Sequence, residues 1–138
     1  PRLSILRIPS GGLGGKKRAL MKGIQASGTE ILLFTDADCV PGPGWAAGML
    51  DAFSPDVAFV AGYAPYHPRN SLLAKLVAAE AGSNAVTARG LIGLGVPAMC
   101  TARNMGYRRS AYHKVGGLEP IAHVASGDDT LMLQRIAK

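Results

Sequence analysis

The stretch Glu30-Ile31-Leu32-Leu33-Phe34-Thr35-Asp36-Ala37-Asp38 decides the fold. Its apolar run lies between Gly28 and Pro41 and is too short for a helix. A run of this kind reads as a strand buried on both faces, and such strands belong to parallel sheets covered by helices. Upstream, Ala19, Leu20 and Ile24 recur at helical spacing, which predicts a helix over Lys16–Ser27 that Gly28 stops. Before it, Ser10–Gly15 reads as a flexible loop and Leu3–Ile8 as a strand. Downstream, Pro43 suits the first turn of a helix reaching about Phe53, and Val57–Gly62 reads as another strand. Asn70 is placed to cap a helix from Ser71 to about Arg89, whose apolar stripe is Leu72, Leu73, Leu76, Val77 and Ala81. A strand within Pro97–Met105, a short helix over Ser110–Val115 and a last helix over Asp128–Ala137 complete the series. Alternating strands and helices without an internal repeat predict one α/β domain, an α/β/α sandwich with a mostly parallel sheet.

Composition narrows the functional classes. The 138 residues carry 15 Lys and Arg against 9 Asp and Glu, a formal charge of +6, and 48% of them are hydrophobic. That is enough apolar material for a core and excludes a disordered chain. The positive balance is either ordinary solubility charge or a sign of an anionic partner. Aromatic residues are 6% and the basic residues are dispersed, so a nucleic-acid-binding domain ranks low. No apolar run has the roughly 18 residues of a spanning helix. Cys39 and Cys100 are too few for a disulfide framework, which favours a reducing compartment. The chain opens on Pro1-Arg2 and stops at Lys138 inside an apparent helix, so a piece of a longer polypeptide is expected.

Three motifs bear chemistry. Asp36-Ala37-Asp38 follows the buried strand, where ligands of α/β sheets bind. On extended chain two carboxylates one residue apart point the same way and would converge on one hard cation such as Mg²⁺ or Mn²⁺. The plain alternative is a solvated turn before Pro41. Gly11–Gly15 leads into Lys16-Lys17-Arg18 at a helix start. Glycines let a backbone approach phosphate and helix N-termini favour anions, while three cations there oppose the helix dipole. Either an anionic ligand offsets that cost or the charges are simply solvated. Ser126-Gly127-Asp128-Asp129 precedes a periodic segment with Leu131, Leu133 and Ile136. Adjacent acids there serve either as helix caps or as a general base whose pKa its neighbour raises. His67, His113 and His123 lack metal-ligand spacing, and His123 could line an acceptor side.

Taken together, these segments resemble family 2 glycosyltransferases. The resemblance lies in Gly15–Ile24, Ala26-Ser27-Gly28-Thr29-Glu30, Thr35–Pro41, Asn104–Arg109, Val115–Leu118 and Gly127-Asp128-Asp129, in that order. It implies a GT-A-like (Rossmann-like) fold, here incomplete, and a single partial catalytic domain over residues 1–138. The implied activity is metal-dependent, inverting transfer of a sugar from a nucleotide-diphosphate donor to an acceptor hydroxyl, with Mg²⁺ or Mn²⁺ as cofactor. In this likeness Lys16, Asp36 and Asp38 bind the donor. Asp38 is the main metal ligand, and Asp36 acts more on the ribose. Asp129 matches the catalytic base, with Asp128 where the family has Glu. Arg108 and Arg109 would contact phosphate or acceptor, or serve as surface charge. The partners implied are a nucleotide-sugar donor and a saccharide or lipid-linked acceptor, with no nucleic acid. The expected location is cytoplasmic, with the full-length protein associated with the cytoplasmic face of a membrane. The rival reading is a non-catalytic nucleotide- or anion-binding module of the same fold, whose acids only cap helices. Met21 stands where the family often has Asn, and the family's first strand and nucleobase loop would precede Pro1. The Gln-x-x-Arg-Trp motif of processive members is not found in these residues and would lie beyond Lys138.

Overall fold

The computed structural model describes residues 3–8, 15–66 and 70–138. Helix α1 (Gly15–Ala26) leads into strand β1 (Ile31–Phe34), helix α2 (Trp45–Asp51) and strand β2 (Phe59–Ala61). Helix α3 (Leu72–Gly93) is followed by strand β3 (Met105–Arg108) and helix α4 (Arg109–Lys114). A 3₁₀ turn (Glu119–Ile121) and helix α5 (Thr130–Ile136) close the series. The expected element types are thus present from α1 onward, with two displacements. The strand expected within Pro97–Met105 lies later, at β3. The cap of α3 is Ser71, not Asn70, because the Ser71 hydroxyl accepts the Ala74 amide at 3.1 Å.

The sheet corrects the expectation of a mostly parallel array. Among the described residues it has three strands in the order β1-β3-β2, and both pairings are antiparallel. Phe34 lies opposite Met105 and Ile31 opposite Arg108, while Phe59 lies opposite Tyr107. β1 and β2 do run the same way, as their helical connection predicts. They are not neighbours, however, because the later β3 enters between them with reversed direction. The most buried strand is accordingly β3, whose Met105, Gly106 and Tyr107 are all buried, and not β1, where only Leu32 is. Residues 3–8, expected as a strand, pair with no strand among the described residues and leave Leu3 and Ile5 exposed. Alternation of residue types there does not supply the neighbouring edge that a strand requires.

Tyr107 anchors the core. Its ring stacks with Phe34 at 4.6 Å, Phe59 at 5.8 Å and Tyr112 at 5.9 Å, joining all three strands to α4. Around it gather Ile24 of α1, Leu32, Met105, Leu118, Ile121 and Met132 of α5. Gly106 lets the strands close: a Cβ there would meet Leu33 Cδ2 at 2.7 Å and the Leu32 carbonyl oxygen at 3.0 Å. This packing brings the first turn of α1, the end of β1 and the approach to α5 to one place.

Candidate functional site

Three segments distant in sequence meet around the ammonium of Lys16. It lies 3.3 Å from Asp36 Oδ1, just past β1, and 3.1 Å from Asp128 Oδ2, just before α5. The two carboxylates differ in setting. Asp36 is partly open to solvent, whereas Asp128 is 7% exposed. Oδ2 of Asp128 is buried, and no hydrogen bond of good geometry reaches it, so Lys16 serves as its counter-charge. Partial burial works against the charged lysine, but Asp128 and then Asp36 outweigh it and hold the ammonium above its ordinary pKa of 10.5. Gly127 makes the approach to Asp128 with φ 81°, and a Cβ there would sit 2.9 Å from Leu131 Cδ1.

Asp38 stands apart from this group. The chain is not extended past Asp36; it turns, with the Cys39 amide donating to the Asp36 carbonyl at 3.1 Å. The expectation that Asp36 and Asp38 are aligned by extended backbone is therefore corrected. The turn leaves Asp38 exposed, next to the Cys39 thiol at 3.9 Å. Among the described residues no group of three or more His, Cys, Asp or Glu side chains is arranged to hold a metal ion. Asp36 and Asp128 are nevertheless hard oxygen donors already gathered about one cation, so their chemistry fits Mg²⁺ or Mn²⁺ with water and phosphate completing the shell.

Asp129 caps α5. Its Oδ1 accepts the Thr130 amide at 2.6 Å and its Oδ2 accepts the Ala102 amide at 3.1 Å. Of the two adjacent acids it is thus Asp129 that caps the helix, and it is also tied to the segment before β3. That segment borders an open cavity of about 580 Å³ between α3 and the end of β2. Cys100 and Thr101 line it, together with Tyr63, Val77 and Ile92. On its wall the Arg103 guanidinium lies 4.5 Å above the Tyr66 ring. Burial pushes the Cys100 thiol up to about 12, with Asp129 adding to the effect, so this cysteine is no nucleophile at neutral pH.

Several cations read as either anion contacts or solvated charge donate to backbone carbonyls instead. Lys17, beside Lys16 in sequence, is 2% exposed. It donates to the carbonyls of Ile121 and Ser126, each at 2.9 Å, and to that of Val124. It therefore holds the loop that presents Asp128, a role the sequence reading missed. The available signal was the charge at a helix start, which looked unfavourable because the distant carbonyls that compensate it were not visible. Arg109 clamps the turn after α1, donating to the carbonyls of Ile24, Ser27 and Thr29 at 2.8, 2.6 and 2.7 Å. Arg108 donates to those of Val57 and Ser54 at 3.0 and 2.9 Å. Neither is solvated surface charge, and both guanidinium groups are occupied by backbone oxygens. His113 packs edge-on against Tyr112, His123 is exposed, and His67 lies outside the described residues, as do Ser10 to Gly14 of the glycine-rich loop.

No described helix is long and apolar enough to cross a membrane. Residues 1–116 match the family model described as glycosyl transferase family 2, which spans α1 to α4 and stops short of Asp128 and Asp129. No curated protein and no solved structure matches the chain.

Proposed function

Because the chain belongs to glycosyl transferase family 2, we propose that it carries a sugar-transfer site with the donor at Lys16, Asp36 and Asp38 and the acceptor beside Asp129. Family membership supports glycosyl transfer from a nucleotide-sugar donor in general terms. The observation that carries the finer reading is the meeting of Lys16, Asp36 and Asp128 at the carboxyl end of β1. A half-exposed ammonium there can pair with the donor's diphosphate. Mg²⁺ or Mn²⁺, when bound, would neutralise charge on the departing diphosphate.

Asp129 suits the role of base by its position. Two backbone amides hold its carboxylate still, and each oxygen keeps a further lone pair for a proton. The carboxylate takes the proton of the acceptor hydroxyl as that oxygen attacks the anomeric carbon. The bond to the nucleoside diphosphate breaks on the opposite side, so the anomeric configuration inverts. The adjoining cavity offers room for a saccharide or lipid-linked acceptor.

The same hydrogen bonds favour a second reading, a module that binds nucleotide or anion and uses its acids only as caps. Release of nucleoside diphosphate from a panel of nucleotide-diphosphate sugars, offered with sugar and lipid acceptors, separates the two. Asp129→Asn retains a capping oxygen and removes the base, so it should bind donor normally and turn over roughly 10²-fold more slowly. Wild-type turnover by Asp129→Asn removes the assigned base; donor binding with no transfer by the wild type favours the non-catalytic module.

A further inference from the structure

We propose that the cavity between α3 and the end of β2 takes an amphiphile with an anionic group, its hydrocarbon chain lying along α3 and its anionic group meeting Arg103. Such a ligand names the acceptor class that the sugar-transfer reading leaves open. Its biological sense rests on that reading, but its binding can be measured without donor or turnover.

The α3 wall is unsuited to a bare saccharide. Val77, Ala81, Ala85, Ala88 and Ile92 line the cavity and recur every three or four residues, so they form one row on one helix face. At 1.5 Å per residue the row is about 22 Å long. Three of its five members are alanines, whose small side chains leave a groove along the helix. Phe59 of β2 and Leu133 of α5 extend the apolar lining. A sugar hydroxyl laid on this row would give up water and gain no hydrogen bond, whereas each methylene laid there leaves water favourably. The cavity, at about 580 Å³, has the size of a small-molecule site.

Arg103 supplies the polar end. Its guanidinium lies 4.5 Å above the Tyr66 ring, and its Nε donates to the Thr101 hydroxyl at 3.3 Å. Those two contacts orient the guanidinium plane, while its two terminal nitrogens meet no acceptor among the described residues. Arg108 and Arg109 differ, since backbone carbonyls occupy their guanidinium groups. A planar fork with free N–H groups matches the oxygens of a phosphate or carboxylate. Among the described lining residues the charged side chains are Arg89, Arg103 and Glu80, two cations against one anion, which also suits an anionic ligand. Arg103 directly follows Ala102, whose amide holds Asp129, so the head group is placed beside the segment that carries the proposed base.

The test is calorimetric titration of the chain with hexyl, octyl and decyl phosphate below their micelle concentrations, compared with octanol, inorganic phosphate and maltose. Affinity should rise about threefold or more per added methylene. Inorganic phosphate and maltose should bind at least tenfold more weakly than octyl phosphate. Ala85→Trp fills the groove and should lower octyl phosphate affinity at least tenfold. Arg103→Gln should lower it as much while leaving octanol binding unchanged. Leu72→Ser combined with Leu73→Ser, on the exposed outer side of α3, should change neither. Affinity independent of chain length, maltose or inorganic phosphate binding as tightly as octyl phosphate, or loss through the Leu72 and Leu73 changes instead of Ala85→Trp overturns the proposal. Should Ala85→Trp not fold, the wild-type chain-length series and Arg103→Gln decide by the same outcomes. Sugar transfer to a soluble saccharide by a protein without this chain-length dependence overturns the ligand class and keeps the transfer reading. Chain-length dependence without transfer to any acceptor upholds the ligand class and ends the transfer reading.

Discussion

Helices α1 and α3 reverse what their compositions suggest. α1 opens with Gly15-Lys16-Lys17-Arg18 and buries Lys17 as fully as Ile24. α3 is 22 residues long and rich in Leu, Ala and Val, yet none of its residues is fully buried. Its leading Leu72 and Leu73 are 75% and 71% exposed. Burial is therefore set by what faces a side chain, not by its type alone. Lys17 packs an apolar stem and meets three carbonyls that need donors, which compensates its desolvation. The leucines of α3 meet no comparable surface among the described residues.

The largest expected effect tests the charged side of this contrast. Lys17→Met keeps the stem and strands three carbonyls, so it should cost about 3 kcal/mol in urea unfolding. A change below about 1 kcal/mol would mean that water replaces the ammonium and that the loop before Asp128 is not held by it. On the apolar side, Leu72→Ser, Leu73→Ser and Leu76→Ser should each change stability by less than about 0.5 kcal/mol. Larger losses in the same unfolding experiment would show that α3 is covered in solution and end the comparison.

The smallest effect concerns the turn that Arg109 clamps after α1. The Ser110 hydroxyl donates to Glu30 and is the main cause of a carboxyl pKa below its ordinary 4.5, with Arg108 and Arg109 adding attraction and desolvation opposing. A depressed folded-state pKa gives stability that is present above the unfolded value and is lost as pH falls through the folded one. Wild type should therefore lose a little stability below about pH 4.5 that Glu30→Gln does not. Parallel pH profiles for the two proteins would show that this contact contributes nothing.

The fold's local pieces were legible where the signal lies within one or two turns of chain. The 3.6-residue recurrence of Ala19, Leu20 and Ile24 and the stop at Gly28 place α1 within a residue or so of its observed bounds. β1 follows from the apolar run itself. β3 was displaced because Met105-Gly106-Tyr107-Arg108 has little apolar alternation; Gly106 is there for close approach between strands, which only the partner strands reveal. In the site, Lys16, Asp36, Asp128 and Asp129 were legible as chemistry-bearing residues. Lys17, Arg108 and Arg109 were not legible as structural, because backbone carbonyls leave no trace in residue type.

By itself, then, the sequence determined the kind and approximate place of each helix and of β1 and β2, and the motifs that mark the family. Tertiary structure alone decided the β1-β3-β2 order, the burial of Lys17 and the pairing of Asp128 with Lys16. The reason is range. Helix periodicity, caps and turns act over a few residues, whereas Lys17 reaches a carbonyl 109 positions away. Strand order and buried charge depend on such distant segments arriving together, and only the closed core around Tyr107 brings them there.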